Sequence, residues 1–369
     1  MISMKRWRLF VILMVVVLIL AACAPAAAPA EEAAPAEEAA PAEEAAPAEE
    51  MEEMEAPTEL NVAAILTTGL DNAWDATFIE SFKRVQAESP HGLQINDIDF
   101  TEGVWGDQAK VVLEEYAKTG KYDIIWSNSA FSDEVEQLHS KYPDILWVTV
   151  GSGNRVVGGN SIWIFNHIHE CGYLQGILAG SLTETNTLGI VGSYPAEDVN
   201  DVINAWINGA KSVNPDIQTK VTFIESWYDP PKALEAANAQ IIAGVDQMYM
   251  MMETFEPCVE NDIGCYAKYI DYNFAAPDNV ISSAMMYVDP GINFVIDRWY
   301  THMTTGEPYP EETDTVWFTM AEGHCDLSPY HATEGDIPQE VKDLVEETRQ
   351  QILDGTYTVE LDVSVPVSD

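Results

Sequence analysis

The sequence predicts an α/β protein of two similar lobes, each with a parallel β-sheet covered by helices on both faces. Two observations predict this fold. Short apolar, strand-like runs alternate with runs of helical spacing from Leu60 onward, and the alternation restarts after His167. Such alternation is typical of parallel sheets, because parallel strands need long, usually helical, crossover connections.

Each lobe contains its own series of predicted elements. In the first series, strand-like runs span 60–68, 93–100, 122–129 and 144–151, and helical runs span 76–87, 107–120 and 132–143. In the second series, strand-like runs span 187–195, 219–226, 245–252, 267–273 and 280–288. Helical runs of that series span 170–185, 199–215 and 232–244, with a short helix near 258–264. The last fifty or so residues are less diagnostic.

The pattern of residues 1–22 predicts a lipoprotein signal peptide. A basic start with Lys5, Arg6 and Arg8 precedes an apolar run that ends in "LAAC" at Cys23. This run resembles a signal followed by a bacterial lipobox, so we expect cleavage before Cys23 and acylation of that cysteine, for example with palmitate. An uncleaved transmembrane anchor is the alternative.

The composition of residues 23–58 predicts a disordered tether between the lipid and the folded body. The hexapeptide "AAPAEE" occurs four times from Ala27 to Glu50. This segment lacks aromatic and β-branched residues over the repeats and carries only negative charge, so it cannot form a core.

The chain is strongly acidic, with a formal net charge of −44. Residues 59–369 alone carry 50 acids and 14 bases, a net charge of −36. Such a surface repels nucleic acid, so we expect no nucleic-acid partner.

Four cysteines follow Cys23 in a compartment that favours disulfides. Cys258 and Cys265 are close in sequence, so a local bridge between them is the first expectation. A bridge between Cys171 and Cys325 would then be optional. The chain has no CxxC motif, which disfavours a zinc site.

The candidate binding residues are those that follow the predicted strands, because ligands of open parallel sheets bind beyond the carboxyl ends of the strands. These loops contain aromatic residues (Trp74, Phe131, Tyr194, Trp227, Tyr228 and Phe255) and acids (Asp71, Asp75, Asp133, Glu253 and Asp271). Aromatic faces and carboxylates together favour a flat, neutral or cationic ligand. Trp227 and Tyr228 are equally compatible with packing between the lobes.

Three segments resemble the basic membrane protein (BMP) family. They are "ECGYLQGILAGSLTETNTLGIVGSYP" at 170–195, "NAWINGAKSVNP" at 204–215 and "SWYDPPKALEAANAQIIAGVD" at 226–246. The likeness extends over roughly 60–312. Members of this family are substrate-binding lipoproteins of ABC importers, similar to the purine nucleoside receptors, and they bind purines between two lobes of a type I periplasmic binding fold.

The resemblance implies roles for individual residues. By similarity, Trp74 and Trp227 would stack on the two faces of a base, with Asp71 and Asp75 near its edge. Further polar contacts would come from Asn128 and Asp133, with Tyr194 and Tyr228 as lining or supporting residues. Asp271 would meet ribose hydroxyls in a nucleoside.

Two departures from the family pattern bear on the ligand. Glu253 stands where the family often has Asp. The run from Ser282 to Met286 lacks a lysine that many nucleoside binders carry shortly after this motif. A free nucleobase therefore becomes an alternative to a nucleoside, with Met286 among the methionines that could pack on its ring.

The resemblance predicts an extracytoplasmic, lipid-anchored and monomeric binding protein that docks on a membrane permease and has no cofactor. The predicted parts are a first lobe at 59–166, completed by about 284–312, a second lobe at 167–283, and a crossover segment with a final helix at 313–369. A type I receptor for a sugar or a signalling molecule is the alternative function.

An enzyme is not expected, because the chain has no Rossmann glycine fingerprint, Walker loop, nucleophile elbow or HExxH motif. His167 and His169 would share one face of a strand, but they lie where the chain should cross between lobes, so we expect no metal.

Overall fold

The computed structural model describes residues 55–369. The predicted signal peptide, the acylated Cys23 and nearly all of the tether lie outside these residues. None of the helices in residues 55–369 is both long and apolar enough to span a bilayer.

The observed elements follow the predicted alternation. The strands are β1 Glu59–Leu60, β2 Val62–Ile65, β3 Gln94–Ile95, β4 Asp99–Thr101, β5 Ile124–Ser127, β6 Leu146–Val150, β7 Ser161–Ile164, β8 Thr187–Gly192, β9 Gln218–Phe223, β10 Gln247–Met250, β11 Gly264–Tyr269, β12 Val280–Met286 and β13 Cys325–Leu327. The helices are α1 Ala73–Glu88, α2 Asp107–Lys118, α3 Ser132–Leu138, α4 His169–Leu182, α5 Glu197–Val213, α6 Pro230–Ile242, α7 Glu256–Asn261, α8 Asp289–Thr305 and α9 Gln339–Leu353.

Two main sheets have the same strand order. The first is parallel and runs β4-β2-β5-β6-β7, and the second runs β9-β8-β10-β11-β12, with β13 added antiparallel at its edge. When the five parallel strands of each sheet are numbered in chain order, both sheets have the order 2-1-3-4-5, which is a doubly wound arrangement. The two-lobed α/β fold predicted from the sequence is therefore confirmed.

Burial explains why these runs form central strands. Every residue of β5 ("IIWS") and of β6 ("LWVTV") is buried, so both faces of the sheet are covered by helices. Strands buried on both faces read as continuous apolar runs, as these do.

Two details differ from the sequence-based expectation. The run at 93–100 forms two short strands, β3 and β4, instead of one. Strand β7 was not predicted, although its sequence "SIWI" is apolar and short. It is the edge strand of the first sheet and leads directly into the crossing to the second lobe.

The chain crosses between the lobes three times. The first crossing follows β7, and the second joins β12 to α8, which packs against α1 of the first lobe. The third runs beside the first, where Phe165 and Val316 are joined by a backbone hydrogen bond of 2.8 Å before the chain reaches β13. The predicted lobe boundaries stay predictions; in the structure all of β12, through Met286, belongs to the second sheet.

Disulfides join distant and local parts of the second lobe. The structure pairs Cys258 with Cys265, which links α7 to β11, and Cys171 with Cys325, which links α4 to β13.

His167 precedes α4 and pairs with the buried Asp201, whereas His169 begins the helix. The two histidines therefore do not share a strand face.

Helices α4 and α5 approach each other closely through glycines. Gly172, Gly176 and Gly180 are spaced four apart and so lie on one face of α4. A Cβ added to Gly176 would lie 2.0 Å from the Trp206 carbonyl oxygen on α5. The backbone of one helix therefore occupies the space where a side chain of the other would be.

This packing predicts that Gly176→Ala destabilises the protein. The added methyl group meets rigid backbone, so we expect a loss of at least about 2 kcal/mol in the free energy of unfolding, despite the better helix propensity of alanine. Urea denaturation would measure it. The control is Gly335→Ala, where an added Cβ has no neighbour within 4 Å. Equal stability of the two variants would contradict the proposed close packing.

Candidate functional site

A cavity of about 170 Å³ lies between the carboxyl ends of the two sheets. The loops after β4, β6 and β9 and the end of β11 contribute Trp105, Ser152, Trp227 and Lys268. The other walls come from the loops after β2 and β5 in the first sheet and after β8 and β10 in the second. These are the strand pairs at which the strand order reverses in each sheet. Loops at such a switch point diverge to opposite faces and leave a crevice, which is where doubly wound proteins bind ligands.

The lining is aromatic and sulfur-rich, with a few charged groups. Its aromatic residues are Trp74, Trp105, Trp227, Tyr269 and Tyr272, and its methionines are Met250, Met251 and Met252. Its charged residues are Asp198, Glu253 and Lys268. Hydroxyl and amide groups come from Thr67, Thr68, Ser129, Ser152, Ser193 and Asn72. Largely apolar walls with few polar groups are typical of small-molecule sites.

Trp74 is held in one orientation at the start of α1. The Asn72 side chain caps this helix by accepting a hydrogen bond from the Trp74 backbone. The indole Nε1 donates to the Asn128 carbonyl oxygen at 3.0 Å. The ring meets Tyr269 of the other lobe edge-on, with centroids 5.6 Å apart. Trp74 is therefore a fixed aromatic surface in the cavity.

Asp75 and Asn128 do not line the cavity but hold residues that line it. The Asp75 side chain is fully buried and accepts hydrogen bonds from Thr68 N and Oγ1 and from Gly69 N. Its second oxygen accepts from Asn128 Nδ2 at 2.8 Å. Both carboxylate oxygens are engaged, so Asp75 positions the loop after β2 and does not line the cavity.

Trp227 lies in the loop between β9 and α6, and 38% of its surface is exposed. Asp229 caps the following helix, which begins with two prolines and so fixes where the loop ends. Tyr194 packs on Trp227 with ring centroids 5.0 Å apart. Trp227 lines the cavity and Tyr194 supports it from the side.

Two carboxylates of the second lobe form hydrogen bonds to the first lobe. Asp198 accepts from Ser152 Oγ at 2.8 Å, and Glu253 accepts from the Ala73 backbone N at 3.1 Å. The Ala73 amide is one of the free N–H groups at the start of α1, where a negative charge is stabilised. Burial raises the pKa of Asp198, while the hydrogen bond from Ser152 opposes that shift.

Lys268 is a buried cation at the carboxyl end of β11, and only 6% of its surface is exposed. Its Nζ donates to the Tyr269 hydroxyl at 2.7 Å and lies 4.3 Å from the centroid of that ring. Burial lowers the pKa of Lys268 to about 8, although Asp198, Asp201 and Glu253 favour the charged form.

The remaining predicted site residues do not line the cavity, and most of them are bound to other residues of the protein. Asp133 pairs with Arg155 at 2.8 Å, and Asp271 pairs with His331 at 2.7 Å. Met286 is buried in β12 opposite Cys325. Asp71 and Tyr228 are exposed on the loops beside the cavity residues.

Sequence reasoning missed Lys268, Asp198, Trp105, Tyr269 and Tyr272 as lining residues. One signal was available for Lys268, because a single lysine interrupts the otherwise uncharged strand "GCYAKY". Within residues 55–369, no group of three or more His, Cys, Asp or Glu side chains is placed to hold a metal ion.

The sequence pattern of the family described as ABC transporter substrate-binding protein PnrA-like matches residues 62–325. The chain is similar to a purine-binding protein of Brucella abortus, with 26% identity over 68% of this chain and 69% of that protein. It is also similar to a putative ABC transporter glucose-binding protein of Haloferax volcanii, with 32% identity over 72% of this chain and 65% of that protein. The chain therefore spans about two thirds of the length of these relatives.

Solved structures have the same fold. A solute-binding protein of an ABC transporter system from Aeropyrum pernix superposes with a TM-score of 0.66 and 16% identity, covering 82% of this chain and 94% of that one. A second, from Conexibacter woesei, superposes with a TM-score of 0.64 and 18% identity, covering 82% and 99%. At these identities the likeness establishes the fold alone. The family match covers most of the chain, and on that ground the chain belongs to the PnrA-like family of ABC transporter substrate-binding proteins.

Proposed function

We propose that this protein binds a purine nucleobase or nucleoside between its lobes and delivers it to a membrane permease for import. The observation that carries the proposal is the cavity at the two switch points, which presents Trp74 from one lobe and Trp227 from the other. Indole rings bind flat aromatic ligands by stacking, and this interaction contributes about 1–3 kcal/mol per base.

The size of the cavity favours a small ligand. Pockets for drug-sized molecules span roughly 300–1,000 Å³, whereas this cavity has a volume of about 170 Å³. Asp271, the residue that the resemblance assigns to ribose, pairs with His331 instead of lining the cavity. Both observations support a free nucleobase in preference to a nucleoside.

The hydrogen bonds between the lobes support a hinge mechanism. Ser152–Asp198 and Ala73–Glu253 join the two lobes beside the cavity. Hinge closure around a ligand is the usual motion of two-lobed binding proteins. A ligand that contacts both lobes stabilises the closed form, because it binds that form more tightly. The closed form would then be the one that a permease recognises.

The proposal includes an extracytoplasmic location with attachment through acylated Cys23. The family assignment supports a small-molecule ligand and a permease partner. No chemical step is required, since the ligand is released unchanged, and we propose no enzymatic activity.

A sugar is the second candidate ligand. One relative with 32% identity is described as a putative glucose-binding protein. Indole faces also pack against sugar rings, so the two tryptophans do not by themselves distinguish a sugar from a purine.

Titration calorimetry of residues 55–369 with a panel of ligands tests the proposed function. The panel contains hypoxanthine, adenine, guanosine, adenosine, glucose and ribose. We expect binding of a purine and no binding of the sugars, because the two indoles and three methionines favour a flat, polarisable ring. Binding of a sugar with no purine bound would overturn the proposal.

A stacking role predicts that Trp227→Ala weakens purine binding by about 1–3 kcal/mol. Tyr228→Ala is the matched control, because Tyr228 is the adjacent exposed aromatic residue and does not line the cavity. Calorimetry on both variants would measure the difference. Unchanged affinity in Trp227→Ala would remove this residue from the binding site.

A further inference from the structure

We infer that Lys268 determines which purines bind, by donating a hydrogen bond to a carbonyl oxygen of the ligand, so that oxopurines bind in preference to aminopurines such as adenine. This inference rests on the proposed purine-binding function and narrows its substrate class. It follows from the position of Lys268, its hydrogen bonds and the charges around it.

The position of Lys268 is unusual for a lysine. It lies in β11, between strands β10 and β12, in the interior of the second sheet. Lysine is almost never fully buried unless its charge is paired. The side chain nevertheless reaches the cavity from this strand and is more than nine-tenths buried.

The hydrogen-bonding capacity of Lys268 is only partly used by the protein. An ammonium group has three N–H donors. One of them is directed to the Tyr269 hydroxyl. Within residues 55–369, Lys268 makes no other side-chain hydrogen bond and belongs to no ion pair. Two charged donors are therefore free to bind an acceptor in the cavity.

The carboxylates near Lys268 are held by other groups. Asp198 accepts from Ser152, Asp201 pairs with His167, and Glu253 accepts from the Ala73 backbone. They favour the protonated lysine through space without forming an ion pair with it. With a pKa of about 8, Lys268 is still mostly protonated at pH 7.

The cavity thus combines a cationic donor with carboxylate acceptors, Asp198 and Glu253. The complementary ligand edge has a carbonyl oxygen next to a ring N–H, as in the six-membered ring of hypoxanthine or guanine. Adenine has the opposite pattern there, with an amino donor next to a ring nitrogen acceptor. An amino group facing Lys268 would leave the ammonium donors without an acceptor. Buried groups left unpaired in this way weaken binding strongly, so adenine should bind less tightly than hypoxanthine or guanine.

The buried charge also predicts a stability effect in the protein without ligand. The pKa of Lys268 is about 8 in the folded protein, below its value of about 10.4 in an unfolded chain. Below pH 8 burial of the charged ammonium lowers the free energy of unfolding by its full amount. This destabilisation is lost as pH rises from about 8 to 10.4. Lys268→Met should therefore raise the melting temperature at pH 7, and the gain should disappear by about pH 10.5.

Thermal unfolding of wild type and Lys268→Met across this pH range measures the effect. The comparison cancels the contribution of the tyrosines that do not contact Lys268. A variant that is less stable than wild type at pH 7 would contradict the predicted free-energy cost of burying this charge.

The decisive experiment compares three ligands by calorimetry: hypoxanthine, adenine and unsubstituted purine. They share one ring system and differ at the position of the carbonyl. We expect wild type to bind hypoxanthine at least about tenfold more tightly than either of the others, as a charge-assisted hydrogen bond predicts. In Lys268→Met the affinity for hypoxanthine should fall about 10- to 100-fold, and the preference for hypoxanthine should disappear.

Lys83→Met is the matched control, because Lys83 is exposed on α1 and, among residues 55–369, forms its ion pair with Glu80 alone. It should leave all three affinities unchanged. Equal binding of the three ligands to wild type, or an equal loss for all three in Lys268→Met, would overturn the inference while leaving purine binding intact. Binding of none of the three to wild type, together with binding of a sugar, would instead refute the proposed function.

Discussion

The structure depends on one topological constraint: two parallel sheets whose strand order reverses at the same relative position. In each sheet the reversal separates two adjacent loops, after β2 and β5 in one lobe and after β8 and β10 in the other. All four loops project toward the space between the lobes and line one cavity. The position of the site is therefore fixed by the sheet order, whereas its chemistry is set by a small number of side chains.

Those side chains depend on a second group of residues that fix their positions. Asp75 holds the loop after β2, Asn128 accepts the Trp74 indole N–H through its carbonyl, and Tyr194 packs on Trp227. Asp75 and Asn128 are themselves joined by a hydrogen bond of 2.8 Å. The Trp74 ring is therefore ordered before a ligand binds, which reduces the entropy cost of binding.

The sequence allowed the two-lobed fold to be predicted because apolar runs and helical spacing alternate along most of the chain. Trp74 and Trp227 could be placed because each lies between a predicted strand and the next predicted helix. Asp133 and Asp271 have the same sequence context but pair with Arg155 and His331, which lie 22 and 60 residues away. Such pairings depend on tertiary structure and have no local signal. Lys268 was missed for the converse reason, since it lies inside a strand and reaches the cavity from there.

The overall acidity of the protein gives the buried Lys268 a particular importance. Residues 59–369 carry a net charge of −36, and Lys268 is the one cationic side chain that lines the cavity in the described part of the chain. Its neighbours Asp198 and Glu253 accept hydrogen bonds from the opposite lobe. Ligand recognition and closure of the lobes therefore involve the same small group of charges.

Binding of an oxopurine between the lobes is tested most directly by mass spectrometry of the small molecule released by gentle denaturation from freshly purified protein. A binding protein that closes around its ligand can retain it through purification, because the closed form buries the ligand between the lobes. We predict that this molecule is a purine, and specifically an oxopurine base. Release of a sugar or another non-aromatic solute in stoichiometric amount would contradict it.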